Sequence, residues 1–164
     1  MREKVPRLKD IRIPTPNPAL RRIDLEMKSG LVIPPNDVSV GVKLLLFFVT
    51  LSHHPVPPRI ILLEEPEIGV HPKRLEHIVG YLRDVTKGTH GQKPAQVIMT
   101  THSPYILDHL DLECDQVIAF FINEDGSRSA KPIDAEGLKP HLKTFLLGEL
   151  WFNKDEEGLV EHNK

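Results

Sequence analysis

Residues 60 to 72 read IILLEEPEIGVHP, so the carboxylates Glu64, Glu65 and Glu67 follow directly on four apolar residues. Further along, Gln96-Val97-Ile98-Met99-Thr100 runs into Thr101-His102-Ser103-Pro104. A carboxylate can hold a divalent cation or polarise a water, and a neutral imidazole can hydrogen-bond a phosphate or a water. Both sets stand at the carboxyl end of an apolar run, where open α/β sheets bind their ligands. Acidic loops are also common on solvated surfaces, and a lone loop histidine is more often structural than functional. Two neighbouring strand ends bearing such groups favour a shared site, with Glu64, Glu65 and His102 on one rim of the sheet. Zinc held by His71, His77, His102 and His109 with Glu64 or Glu67 is a weaker reading, because no H-E-x-x-H or comparable spacing occurs.

The elements that must position these groups can be read from periodicity. Residues 1–34 are punctuated by proline, with short strands expected at 11–13, 23–27 and 31–33. Residues 39–52 are apolar almost all round, the pattern of a buried helix, and HHPVPP (53–58) ends it. The runs 59–63 and 96–100 read as buried strands covered on both faces. Pro72 opens a helix to about residue 87, with Leu75, Ile78, Val79 and Leu82 on one face. GTHGQKP (88–94) is a loop, 104–110 a short helix, 117–122 a strand and Asp125-Gly126 a turn. Two helical pieces follow, and the acidic stretch 154–162 is expected to be solvated. Strand alternating with helix predicts an α/β fold with a mainly parallel sheet flanked by helices.

The 164 residues amount to one domain, with 40% hydrophobic and 27% charged residues. A net charge of −2 gives no reason to expect nucleic acid by general electrostatics. The single Cys114 precludes an internal disulfide framework. The stretch MREKVPRLKD lacks the apolar core of a secretory signal, and Val40–Leu51 is too short for a membrane span. A cytoplasmic protein without membrane contact is expected.

Taken together, these segments resemble ABC-type ATPases of the SMC-, RecF- and OLD-like branch. IILLEEPEIGVHP looks like the Walker B and D-loop region, TTHSPYIL (100–107) like the switch-histidine loop, and NDVSVGVKLLLFF (36–48) like the signature segment. Val38 stands where the signature usually has Leu, and Val40 where Asp is frequent. LLGELW (146–151) is similar to the end of bacterial ATPases with an AAA-type label.

The resemblance implies ATP and Mg²⁺ as cofactors. Glu64 would hold Mg²⁺, through water, and Glu65 would polarise the attacking water. His102 would contact the γ-phosphate, while Ser39 and Gly41 would cap the γ-phosphate of a nucleotide held by a second subunit. A phosphate-cradling G-x-x-x-x-G-K-[ST] loop is missing: GTHGQKP has Lys93 one place late, Pro94 after it, and lies between a helix and a strand. The expectation is therefore a partial P-loop NTPase core without its N-terminal P-loop half. It divides into short strands (1–35), signature helix (36–58), Walker B to switch-histidine core (59–122) and C-terminal extension (123–164). Such a segment would be inactive alone and would act in a head-to-head homodimer or with a P-loop-bearing chain; nucleic acid enters only by family analogy. The alternative is a non-catalytic remnant or interaction module that complements a partner ATPase.

Overall fold

The computed structural model describes residues 5, 7–17 and 21–160, so residues 161–162 of the acidic stretch lie outside it. The chain forms two compact units, Met1–Met99 and Thr100–Lys164.

The first unit opens with a three-stranded antiparallel sheet of β1 (Leu8–Arg12), β2 (Asp24–Met27) and β3 (Val32–Ile33). The central strand carries two buried acids, which require partners. Lys9 Nζ and Arg12 Nη2 lie 2.8 and 2.7 Å from the Glu26 carboxylate, and Arg22 Nη2 donates to Asp24 at 3.0 Å. Leu8 and Leu25 turn inward against Leu45 of helix α1 (Val40–Ser52). Only one stripe of α1 is buried, Gly41, Leu45, Phe48 and Ser52 at helical spacing, while Phe47 is half exposed. The expected all-round burial is thus corrected: the helix is covered on the side that meets the sheet and helix α2 (Leu75–Lys87).

Strands β4 (Ile60–Glu64) and β5 (Gln96–Thr100) form a second sheet. Gln96 N–H donates to the Arg59 carbonyl at 2.8 Å, so the strands start side by side and run in the same direction. Ile61 packs with Val85 of α2 and Ala95, with Leu63 and Val97 partly buried beside them. The other face carries Ile60, Leu62 and Ile98, which are 56%, 71% and 51% exposed. Burial on both faces was expected; α2 supplies one cover only.

In the second unit, α3 (Pro104–Leu107) precedes the antiparallel hairpin of β6 (Ile118–Ile122) and β7 (Arg128–Pro132). At its turn, Asp125 accepts the Ser127 hydroxyl at 2.6 Å and the Ser127 N–H at 2.9 Å, which holds its carboxyl below the usual range. Helix α4 (Ala135–Leu142) begins with Asp134 accepting the Gly137 N–H at 3.1 Å, a standard use of Asp at an N-cap. Helix α5 (Leu147–Val160) completes the unit and buries Leu147, Leu150 and Leu159 with Leu107, Ala119 and Leu138. The stretch 154–160, expected to be solvated, is therefore the end of a packed helix. Leu159 anchors it, being 3% exposed and accepting the Asp134 N–H on its carbonyl.

The chain is α/β, as expected, but its described strands are divided among three small sheets, two of them antiparallel, rather than one mainly parallel sheet. Among the described residues, no helix is long and apolar enough to cross a membrane.

Candidate functional site

β4 delivers Glu64 to an exposed strand end. The next residue, half-buried Glu65, has φ +43°, a left-handed conformation that side-chain-bearing residues rarely adopt. Such backbone costs about 1–3 kcal/mol and persists only where the surroundings impose it. Here the surroundings are two successive turns: Ile68 N–H donates to the Glu65 carbonyl at 3.1 Å, and Val70 N–H to the Glu67 carbonyl at 2.9 Å. Pro66 is buried between them. The far end of the loop is pinned by His71, whose Nδ1 accepts the Lys73 N–H at 3.2 Å while Pro72 opens the turn that leads into α2.

The amino terminus of α1 packs against this loop. Ser39 is the N-cap, in extended geometry; its carbonyl accepts from Val42 and Lys43, and its hydroxyl makes no capping bond. The N–H groups of Val40 and Gly41 precede the first intrahelical bonds and so lack helical acceptors, which leaves an anion-binding helix end. Gly41 is buried, and a Cβ on it would lie 2.8 Å from the Gly69 carbonyl oxygen. A Cβ on Gly69 would lie 3.1 Å from Val40 Cγ1. The two backbones touch, so the structure brings Ser39 and Gly41 to the loop that follows Glu64 and Glu65.

His102 is exposed and belongs to the second unit, between β5 and α3. Beside it, Thr101 Oγ1 accepts the Ser103 N–H at 3.0 Å. The helix that follows is anchored from α5: Asp108 Oδ1 accepts the Gly148 N–H at 2.8 Å. A Cβ on Gly148 would collide with the Pro104 carbonyl oxygen and sit 2.6 Å from Asp108 Oδ1. Asp108 and Gly148 were not singled out from sequence. The one available signal was a glycine placed early in the apolar helix LLGELW.

Within the first unit, the donor chemistry of Glu64 and the α1 terminus is compatible with a magnesium nucleotide. Among the described residues no group of three or more His, Cys, Asp or Glu converges on a metal position. A cation at Glu64 would take most of its ligands from water and phosphate oxygens, which is the habit of Mg²⁺. The α1 terminus, with an uncommitted hydroxyl and forward N–H groups, suits the terminal phosphate.

A family model described as "AAA domain, putative AbiEii toxin, Type IV TA system" matches residues 2–108, a span that takes in α1, Glu64, Glu65 and His102. Among solved structures, a chain from "Structural biochemistry of ATP-driven dimerization and DNA stimulated activation of SMC ATPases" is similar with a TM-score of 0.60. Their sequences are 15% identical, and the match covers 87% of this chain and 83% of that one. At that identity the likeness is one of fold.

Proposed function

The chain belongs to the AAA domain family described as putative AbiEii toxin, Type IV TA system, and from that premise we propose that it is a signature- and Walker B-bearing segment of an ABC-type ATPase. It binds and hydrolyses ATP with Mg²⁺ in the cytoplasm once a phosphate-binding loop is supplied from outside these 164 residues. The observation that carries this reading is the left-handed Glu65 held in a loop packed on the α1 terminus. The strained carboxylate stands just past the carboxyl end of a strand, where open α/β sheets bind their ligands.

Phosphoryl transfer is achieved by positioning and charge stabilisation more than by covalent chemistry, and the bound cation supplies the charge neutralisation. Glu64 would hold the cation through water, and Glu65 would accept a hydrogen bond from the attacking water and take up its proton. His102, which belongs to the second unit, would donate to a terminal phosphate oxygen. Ser39 and Gly41 offer a hydroxyl and an N–H to the phosphate of a nucleotide held by a second subunit. This reading calls for a head-to-head homodimer or a complex with a P-loop-bearing chain. ATP-driven dimerization is stated for the SMC neighbour, as is stimulation by DNA; for this chain DNA rests on that analogy alone. The uncovered face of β4 and β5 favours a partner that completes the core. The same face is the observation behind a second reading, a non-catalytic module that complements a partner ATPase.

The test is a titration and turnover assay on the chain alone and with a co-purified P-loop-bearing partner. The chain alone should show no turnover. In the complex, Glu65→Gln should keep ATP binding and accumulate the ATP-bound dimer, while Glu64→Ala should weaken Mg²⁺-nucleotide binding. Equal loss of ATP binding in both variants would overturn the assignment of roles. A complex that binds its partner but never hydrolyses ATP would favour the non-catalytic module.

A further inference from the structure

Asp125-Gly126 is the single place in the sequence where glycine follows Asp or Asn. That pairing carries its own chemistry. A glycine nitrogen, unhindered by a side chain of its own, can attack the side-chain carbonyl of the preceding residue and close a five-membered ring. The hairpin also has a use for the glycine: Gly126 has φ +80°, a left-handed geometry that favours it, at the exposed tip joining β6 to β7.

The folded turn occupies both reacting groups. The nucleophile, the Gly126 N–H, donates to the Asn123 carbonyl at 2.9 Å, and the Asn123 N–H donates to the Ser127 carbonyl at 2.8 Å. The electrophile is held as a carboxylate, because Asp125 Oδ1 accepts the Ser127 hydroxyl at 2.6 Å and the Ser127 N–H at 2.9 Å. The hydroxyl first, and then the N–H, keep that carboxyl below its usual range. A carboxylate reacts with an amide nitrogen far more slowly than the protonated acid does. The Ser127 hydroxyl is itself fixed, since Asn123 Nδ2 donates to it at 2.7 Å and to the Ser129 hydroxyl at 2.8 Å.

We infer that Asp125 is a site of isoaspartate formation that the folded turn suppresses, with Ser127 as the residue that guards it. When the turn opens, Gly126 N bonds to Asp125 Cγ, a Cγ–O bond breaks, and the amide proton leaves with that oxygen as water. Water then opens the succinimide at either carbonyl. Opening at the backbone carbonyl gives isoaspartate, with one more methylene in the main chain and no net change in composition. The insertion falls just past the Ile122–Arg128 pair and disturbs the hairpin whose Ala119 packs with Leu138 and Leu150.

The probe is a protein isoaspartyl methyltransferase with labelled S-adenosylmethionine, applied to the full chain after ageing in buffer or in urea, with peptide mapping to locate the label. Label at Asp125 should accumulate about tenfold more slowly in buffer than in urea, because reaction waits on opening of the turn. Ser127→Ala should speed it several-fold in buffer and leave the urea rate unchanged, while Ser127→Thr, which keeps the hydroxyl, should stay slow; circular dichroism checks the fold. On acidification the rate in buffer should rise at a higher pH in Ser127→Ala than in the wild type, since the lost hydroxyl no longer favours the carboxylate. Asp125→Glu should remove the label, because its longer side chain closes a six-membered ring poorly. Equal wild-type rates in buffer and urea, or label chiefly at another residue, overturn the site. No acceleration in folded Ser127→Ala, the same acceleration in urea, or an unmoved pH profile overturns the role of Ser127.

Discussion

Replacing Gly148 with alanine tests how the second unit holds the helix that follows His102. The added methyl has nowhere to go: it would collide with the Pro104 carbonyl oxygen and approach Asp108 Oδ1 to 2.6 Å. Neither obstacle is the loose end of a long side chain, so α3 and α5 must separate. Overpacking of this kind costs about 1–3 kcal/mol. Separation also breaks the 2.8 Å bond from Gly148 N–H to Asp108, and a bond to a charged group contributes about 1.5–3 kcal/mol. Against this, alanine improves helix propensity by about 1 kcal/mol at most, and by less so close to the start of α5. The net expectation is a loss of about 1.5–6 kcal/mol, with sterics prevailing over propensity. Urea unfolding followed by the fluorescence of Trp151, the single tryptophan and part of this unit's core, reads the change directly. Gly80→Ala is the counter-control: a Cβ there meets nothing within 4 Å on an exposed helix position, so it should stabilise by up to about 1 kcal/mol. If Gly148→Ala matches or exceeds the wild type, the close approach of α5 to α3 is not as described. A double-mutant cycle with Asp108→Ala should be strongly non-additive, because the two changes remove the same contact.

Gly41→Ala should lower the melting temperature of the first unit and cost about 1–3 kcal/mol, since its Cβ would press on the Gly69 carbonyl; an unchanged melt would deny that contact. The Glu26 carboxyl is held below its ordinary range, chiefly by the Lys9 hydrogen bond and then by Arg12. Its contribution is therefore present above the unfolded carboxylate pKa and lost as pH falls through the lower folded value. Melting curves of wild type and Glu26→Gln should differ near neutral pH and converge in acid; a gap that widens in acid contradicts the pairing. Leu62→Lys should reduce self-association of the isolated chain in light scattering, because Leu62 is the most exposed apolar residue of the β4–β5 face.

The local part of this architecture was legible in the sequence. The strand expected at 59–63 matches β4 to within a residue, 96–100 coincides with β5, and Pro72 marks the turn that enters α2. These features follow from short-range rules of periodicity and proline geometry. What escaped depends on partners far along the chain. Apolar residues at 60, 62 and 98 look the same whether one face is covered or two, so hydrophobicity cannot report that their face stays exposed while Ile61 packs on α2. The burial of Glu26 in β2 depends on Lys9 and Arg12, which approach only when the sheet pairs. Residues 154–160 look solvated because their charges outnumber the apolar Leu159 and Val160 that pack on the core. For the site, residue types nominated Ser39, Gly41, Glu64, Glu65 and His102, and the one contact shown among their segments is that of Gly41 with Gly69, in the loop after Glu65. The Asp108–Gly148 bond spans forty positions, and no local pattern announces it.

The left-handed backbone of Glu65 has an evolutionary consequence. A glycine there would relax the chain at little entropic cost compared with the strain removed, so the substitution that most benefits folding is also the one that deletes the acid. Drift under weak selection for activity, or a laboratory campaign that scores only thermostability, should therefore erode this position early. A selection that also scores ATP turnover should instead hold glutamate at this position, if the proposed role of its carboxylate is right.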